Sequence, residues 1–98
     1  MVREVRWPLL AQKQLTKAYE NILRDSYQNA EKVKNDILLS TRKLPANPEM
    51  YPPDKYRLNN DSSFRAYELH RYRIAYRIKE KEIIIVMVRH TSMEPKKY

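Results

Sequence analysis

Hydrophobic positions along the chain fall into blocks whose period changes from one block to the next. From Val2 to Trp7 they alternate, with Val5 and Trp7 on one side and Arg6 on the other, until Pro8 removes a ladder donor; the spacing predicts a short strand that stops there. From Leu9 to Asp25 the residues Ala11, Leu15, Ala18, Tyr19 and Ile22 recur every three or four positions. That is the mark of a helix with one buried stripe, opposite Lys13, Lys17, Glu20 and Arg24. Ser26 can cap a second helix, which carries Ala30, Val33, Ile37, Leu38, Thr41 and Leu44 on the same spacing, so the two should form a helical hairpin. Pro45, Pro48, Pro52 and Pro53, closed by Asn59-Asn60-Asp61, then predict a long loop reaching Ser63, either a binding surface or a passive connection. Strand-like runs follow at 64–69, 72–78 and 83–89, separated by His70-Arg71 and by Lys79-Glu80-Lys81-Glu82, as an antiparallel meander requires.

This order predicts an α+β domain over residues 1–98, with two helices packed on one face of a four-stranded sheet. Ile83 to Val88 is apolar on both sides and should be a central strand. Tyr72, Ile74, Tyr76 and Ile78 should face the helices, leaving Arg71, Arg73 and Arg77 on the other side. No apolar run approaches the roughly 18 residues of a membrane span, and Met1-Val2-Arg3-Glu4 lacks the apolar stretch of a signal peptide, so a cytoplasmic protein without a membrane partner is expected.

Composition narrows the chemistry. With no glycine, the chain can build no P-loop, dinucleotide-binding turn, nucleophile elbow or EF-hand loop. With no cysteine and only two histidines, it offers no disulfide, no thiolate nucleophile and no ordinary zinc site, so neither metal nor cofactor is expected. A net charge of +8 attracts polyanions, whether nucleic acid, acidic protein or anionic membrane surface. The charge is concentrated late: residues 64–98 hold nine Lys and Arg against four Asp and Glu. Arg65, Arg71, Arg73, Arg77 and Arg89 either solvate an open sheet face or bind phosphate, and their clustering favours phosphate.

Lys55 and Arg57 on the loop, with Lys96 and Lys97 in the tail, extend this candidate nucleic-acid-binding set. Without a glycine-built backbone nest, anion binding falls to side chains. The turns at His70-Arg71 and Asn59-Asn60 must carry any positive φ on asparagine or histidine, or avoid it. Tyr19, Tyr72 and Tyr76 occupy core stripes, whereas Tyr51, Tyr56, Tyr67 and Tyr98 are free to stack on bases. Thr91-Ser92-Met93-Glu94 imitates a capping box, but Pro95 after it points to an irregular tail.

The strings Phe64-Arg65-Ala66-Tyr67-Glu68-Leu69 and Tyr72-Arg73-Ile74-Ala75-Tyr76-Arg77-Ile78, with the ending Val88-Arg89-His90, follow the helices in an order that resembles the RelE/ParE superfamily of bacterial type II toxins. Leu44-Pro45-Ala46-Asn47-Pro48 also has that family's Leu-x-x-x-Pro pattern, and the resemblance spans nearly the whole chain. It implies a toxin neutralised by a cognate acidic antitoxin. The toxin's partners would be the ribosome and messenger RNA, which it cleaves (the RelE branch), or DNA gyrase, which it inhibits (the ParE branch).

Cleavage of the RelE kind uses the RNA 2′-hydroxyl as nucleophile. It needs a base, cations for the charge building on phosphate oxygens, and an acid for the leaving 5′-oxygen. In this reading Arg73 matches the arginine that contacts the scissile phosphate, and Arg65 falls where the branch places further basic groups. Arg89 and His90 end the last strand as the branch often does, and Tyr98 stands for its C-terminal tyrosine. Arg89 and His90 share one cleft only if the strand breaks at His90, because successive strand residues point to opposite faces. Glu68 should sit opposite Arg73, as base or as ion-pair partner. The lysine-rich strand pair of the nuclease pattern is missing. An mRNA endoribonuclease is the favoured expectation, with a gyrase inhibitor and a non-catalytic nucleic-acid-binding module as alternatives.

Overall fold

The computed structural model describes residues 2–98, so Met1, the first residue of the predicted domain, lies outside the described residues. Strand β1 (Glu4–Arg6) leads into helices α1 (Leu9–Leu23) and α2 (Tyr27–Arg42) and a 3-10 turn (Leu44–Ala46). Strands β2 (Phe64–Leu69), β3 (Tyr72–Ile78) and β4 (Glu82–His90) follow. They form a four-stranded sheet in the order β1-β4-β3-β2, with β1 parallel to β4 and the other pairs antiparallel. The all-apolar run is therefore central, as its pattern predicts.

Pro8 precedes α1 with φ −59°, and its carbonyl accepts the Gln12 amide at 3.0 Å. Ser26 caps α2 by accepting the Asn29 amide at 3.1 Å. Ala11 and Ala18 let α1 lie close on the sheet, where Val33, Ile37 and Leu44 join Ile74, Tyr76, Ile83, Ile85 and Val88 in one buried cluster. Tyr19 departs from its expected core place: it is half-buried and donates its hydroxyl to Glu31 at 2.6 Å across the helix pair.

The register of β3 against β4 shifts between Ala75, opposite Met87, and Tyr76, opposite Ile85, so Val86 is an extra residue. This bulge keeps both Ile85 and Val88 in the core although they are three positions apart. Gln14 of α1 accepts the Val88 amide at 2.8 Å, where β4 runs on beyond its pairing with β1. At the β2–β3 turn His70 and Arg71 both have positive φ, 52° and 66°, the pair of values that a two-residue hairpin of right-handed strands prefers. Asn59 and Ser62 also have positive φ, so left-handed backbone falls on arginine and serine as well as on the expected asparagine and histidine. Asn60 acts through its side chain, accepting the Ser62 and Phe64 amides and donating to the Phe64 carbonyl.

The long loop is more than a connection. The Tyr76 hydroxyl holds the Pro48 carbonyl at 2.6 Å, and Tyr51 stacks on Tyr67 at 4.2 Å. Pro53 then bridges to Arg65 and the Asp54 amide donates to the Phe64 carbonyl at 2.8 Å, so the loop runs along the outer edge of β2. Tyr67 is thereby buried, with its hydroxyl 2.7 Å from Ser40 Oγ, and is not free for stacking on bases. The tail after β4 is irregular, as expected, and Tyr98 pairs with the loop: its amide donates to the Tyr56 carbonyl and its carbonyl accepts from Leu58.

Candidate functional site

On the sheet face away from the helices, Glu68, Arg73 and Arg89 form a row across β2, β3 and β4, each directly opposite the next. The loop places Asp54 against this row. Asp54 Oδ1 accepts from Arg73 Nη2 at 2.8 Å and from the Tyr56 amide at 3.0 Å, while Oδ2 accepts the Tyr98 hydroxyl at 2.6 Å. The Asp54 carboxylate is 1% exposed and the Arg73 side chain 18%. Arg73 Nη1 lies 3.7 Å from Glu68, the ion-pair partner that sequence anticipated, and its guanidinium sits over the Tyr56 ring.

Burial alone would push the Asp54 carboxyl up. The hydrogen bonds from Tyr98, Arg73 and the Tyr56 amide, with the Arg73 charge, outweigh it and hold the group below the ordinary aspartate range. Tyr98 moves the other way, raised by burial and by the Asp54 carboxylate that takes its hydrogen bond. A cavity of about 110 Å³ opens between these groups, lined also by Met87, Arg89 and Lys96.

Arg89 donates through Nε to the Glu94 carbonyl at 3.2 Å. The strand runs unbroken through His90, which pairs in register with Tyr72 while Arg89 pairs with Arg73. His90 therefore starts from the helix side, its ring edge-on to Tyr72 at 5.0 Å, although it also lines the small cavity. Its Nδ1 accepts the Ser92 amide at 3.0 Å, which leaves Nε2 to carry the proton of the neutral ring.

Arg65 does not join the arginine row. Its register partners are Tyr76 and, beyond it, core Ile85, so it leaves β2 on the helix side, and it donates to the carbonyls of Tyr51, Ser62 and Glu49. Arg71 is exposed at the hairpin tip, and Lys55, Lys96 and Lys97 are exposed, with Lys55 near the Tyr56 ring. Arg57 and Arg77 meet at a second place on the open face, both over Phe64. The structure thus gathers Arg73, Arg89 and Tyr98 around Asp54, and pairs Arg57 with Arg77. Asp54 escaped sequence reasoning because its partners lie 19 and 44 residues away; its one signal is an acid following two prolines between Tyr51 and Lys55. Among the described residues no group of three or more His, Asp or Glu is placed to hold a metal ion, and no helix is long and apolar enough to cross a membrane.

Two helices on a four-stranded sheet with a basic, tail-closed cleft define the toxin fold that the strand motifs resemble. The family model described as "ParE toxin of type II toxin-antitoxin system, parDE" matches residues 5–95, and the chain belongs to this family. A chain of the chromosomal ParDE TA system from P. aeruginosa is similar over 91% of this chain and 96% of its own, with a TM-score of 0.74 and 21% identity. A chain of the toxin-antitoxin complex RelBE2 from Mycobacterium tuberculosis is similar over 92% and 99%, with a TM-score of 0.62 and 18% identity. No curated protein matches the chain in sequence.

Proposed function

We propose that this toxin acts by binding and inhibiting DNA gyrase, and that an acidic cognate antitoxin protein neutralises it. The observation that carries the reading is the buried Asp54 carboxylate on Arg73. A nuclease of the RelE kind needs a cation free to meet the charge that builds on phosphate oxygens. Here Arg73, the best candidate, is already compensated by Asp54 and approached by Glu68, and an entering phosphate would meet a carboxylate at the same place. Tyr98 holds its own proton and donates a hydrogen bond through it to the Asp54 carboxylate, which disfavours it as a base, and Arg65 is committed to loop carbonyls. Arg89 and His90 line the same cavity, but the cation best placed for the scissile phosphate, Arg73, is already taken up there, and this reverses the order in which residues alone ranked the two branches.

The toxin–antitoxin systems named for the similar structures support a protein partner, and a net charge of +8 favours an acidic one. The test uses purified toxin in two assays run side by side. Gyrase supercoiling should stop, and translating ribosomes should show no new message ends; product of the adjacent open reading frame should restore supercoiling. New message cuts that vanish in Arg73→Ala, with supercoiling untouched, would establish the ribosome-dependent endoribonuclease instead.

A further inference from the structure

Phe64 of β2 carries two guanidinium groups. Arg57, from the loop, places Cζ 4.0 Å from the ring centroid, and Arg77, its register partner in β3, places Cζ 4.8 Å from it. Arg57 also lies 5.1 Å from the Tyr98 ring, which meets Phe64 edge-on. Neither arginine forms an ion pair among the described residues, and the Nε of each is buried without an acceptor. Asp61 is within electrostatic reach of Arg77, but its Oδ1 accepts the Ser63 amide at 3.0 Å. The contrast with Arg73, held by two carboxylates on the same sheet face, is direct.

Two like charges stacked on one ring repel each other, and a desolvated Nε–H without a partner adds to the cost. The aromatic ring offsets part of this by its attraction for cations and holds both planar groups in place. With each Nε closed off, the Nη atoms remain as the donors of both groups. One guanidinium edge saturates a planar carboxylate. Two edges, one from the loop and one from β3, suit an acceptor whose oxygens point several ways, which is a tetrahedral phosphate.

We propose that Arg57 and Arg77, mounted on Phe64, form a phosphate-binding pair separate from the Asp54–Arg73 cluster. This goes beyond gyrase inhibition and stands whether or not gyrase is the target. The pair takes the phosphate group itself, from free phosphate or from a nucleic-acid backbone, and the measurement distinguishes the two sources. The probe is the Nε–H resonance of each arginine in the full chain, followed by NMR at fixed ionic strength. One arm titrates inorganic phosphate and the other a short DNA duplex.

Both resonances should move together and saturably in at least one arm. Movement in both arms assigns the phosphate group alone as ligand, and movement with the duplex only assigns the nucleic-acid backbone. Arg57→Gln or Arg77→Gln should weaken binding about tenfold, while Arg24→Gln, an equal loss of charge just past the end of α1, should leave it nearly unchanged. If a glutamine variant loses its fold, Arg57→Lys and Arg77→Lys keep the charge without the planar fork and should still weaken binding severalfold. No movement in either arm, an equal response to acetate or to a polyglutamate peptide, or undiminished affinity in the folded variants would overturn the proposal.

Discussion

Asp54 Oδ1 and Arg73 Nη2 lie 2.8 Å apart, joining a loop to the middle of the sheet through a carboxylate that is almost wholly out of water. Removing one member of such a pair strands the other. Asp54→Ala should cost about 3 kcal/mol, at the low end for a broken buried pair because Arg73 keeps some solvent and the nearby Glu68. Urea unfolding at neutral pH measures it. The pH dependence has a definite sign. The folded Asp54 carboxyl titrates below its unfolded value of about 3.9, so its contribution is complete above that value and is lost as pH falls through the folded one. Asp54→Asn should therefore flatten the acid limb of the stability curve relative to the native chain; an unchanged limb would place the acid sensitivity on other carboxylates.

The tyrosines should show the opposite limb. Burial pushes Tyr67 and Tyr76 up to about 12, and burial with the Asp54 carboxylate raises Tyr98. Each raised phenol contributes stability that is intact below the unfolded value of about 10 and is lost as pH climbs through the folded one. Phenolate absorbance should accordingly rise in separate steps in the folded chain and in a single step in urea. Tyr98→Phe should remove one late-titrating group and weaken the fold by about 1.5 kcal/mol, since it deletes a hydrogen bond to a charged acceptor.

The helices and the phase of β3 are legible because their periodicity is clean: Tyr72, Ile74 and Tyr76 turn to the core while Arg73 and Arg77 turn away, although Arg71, expected in the same row, lies in the turn before the strand. The phase of β2 is not. Phe64 and Ala66 are buried on one face and Tyr67 on the other, so apolar pattern cannot say which side Arg65 takes, and only pairing with Tyr76 decides it. The bulge at Val86 hides for a similar reason, since Ile83 to Val88 is apolar throughout. Asp54 depends on a loop path set by pairing with the edge of β2, a contact between distant segments that no local signal carries.

Arg71 offers a local test of the turn. Its φ of 66° places a β-carbon-bearing residue in the left-handed region, where glycine is at ease. The side chain is exposed and makes none of the polar contacts that hold the site; its carbonyl accepts the Thr91 amide at 2.8 Å, a bond that glycine keeps. Arg71→Gly should therefore stabilise the chain by about 1 kcal/mol, seen as a higher urea midpoint with an unchanged slope. A loss of stability would mean that the entropy added to the unfolded chain exceeds the strain relieved.

Gln14 tests how the C-terminal half of β4 is held against α1. Its Oε1 accepts the Val88 amide at 2.8 Å, from the middle of α1 to the strand segment just past the extra residue. Gln14→Leu removes that acceptor and leaves a buried amide next to an apolar side chain, at a cost of about 1 to 3 kcal/mol. Gln14→Glu keeps an acceptor of nearly the same shape and should cost far less, which separates the hydrogen bond from side-chain volume. Hydrogen exchange gives the local readout: the Val88 amide should lose protection in Gln14→Leu well before the amides of β3 do. Uniform loss across the sheet would instead show that this half of β4 and the rest of the sheet open as one unit.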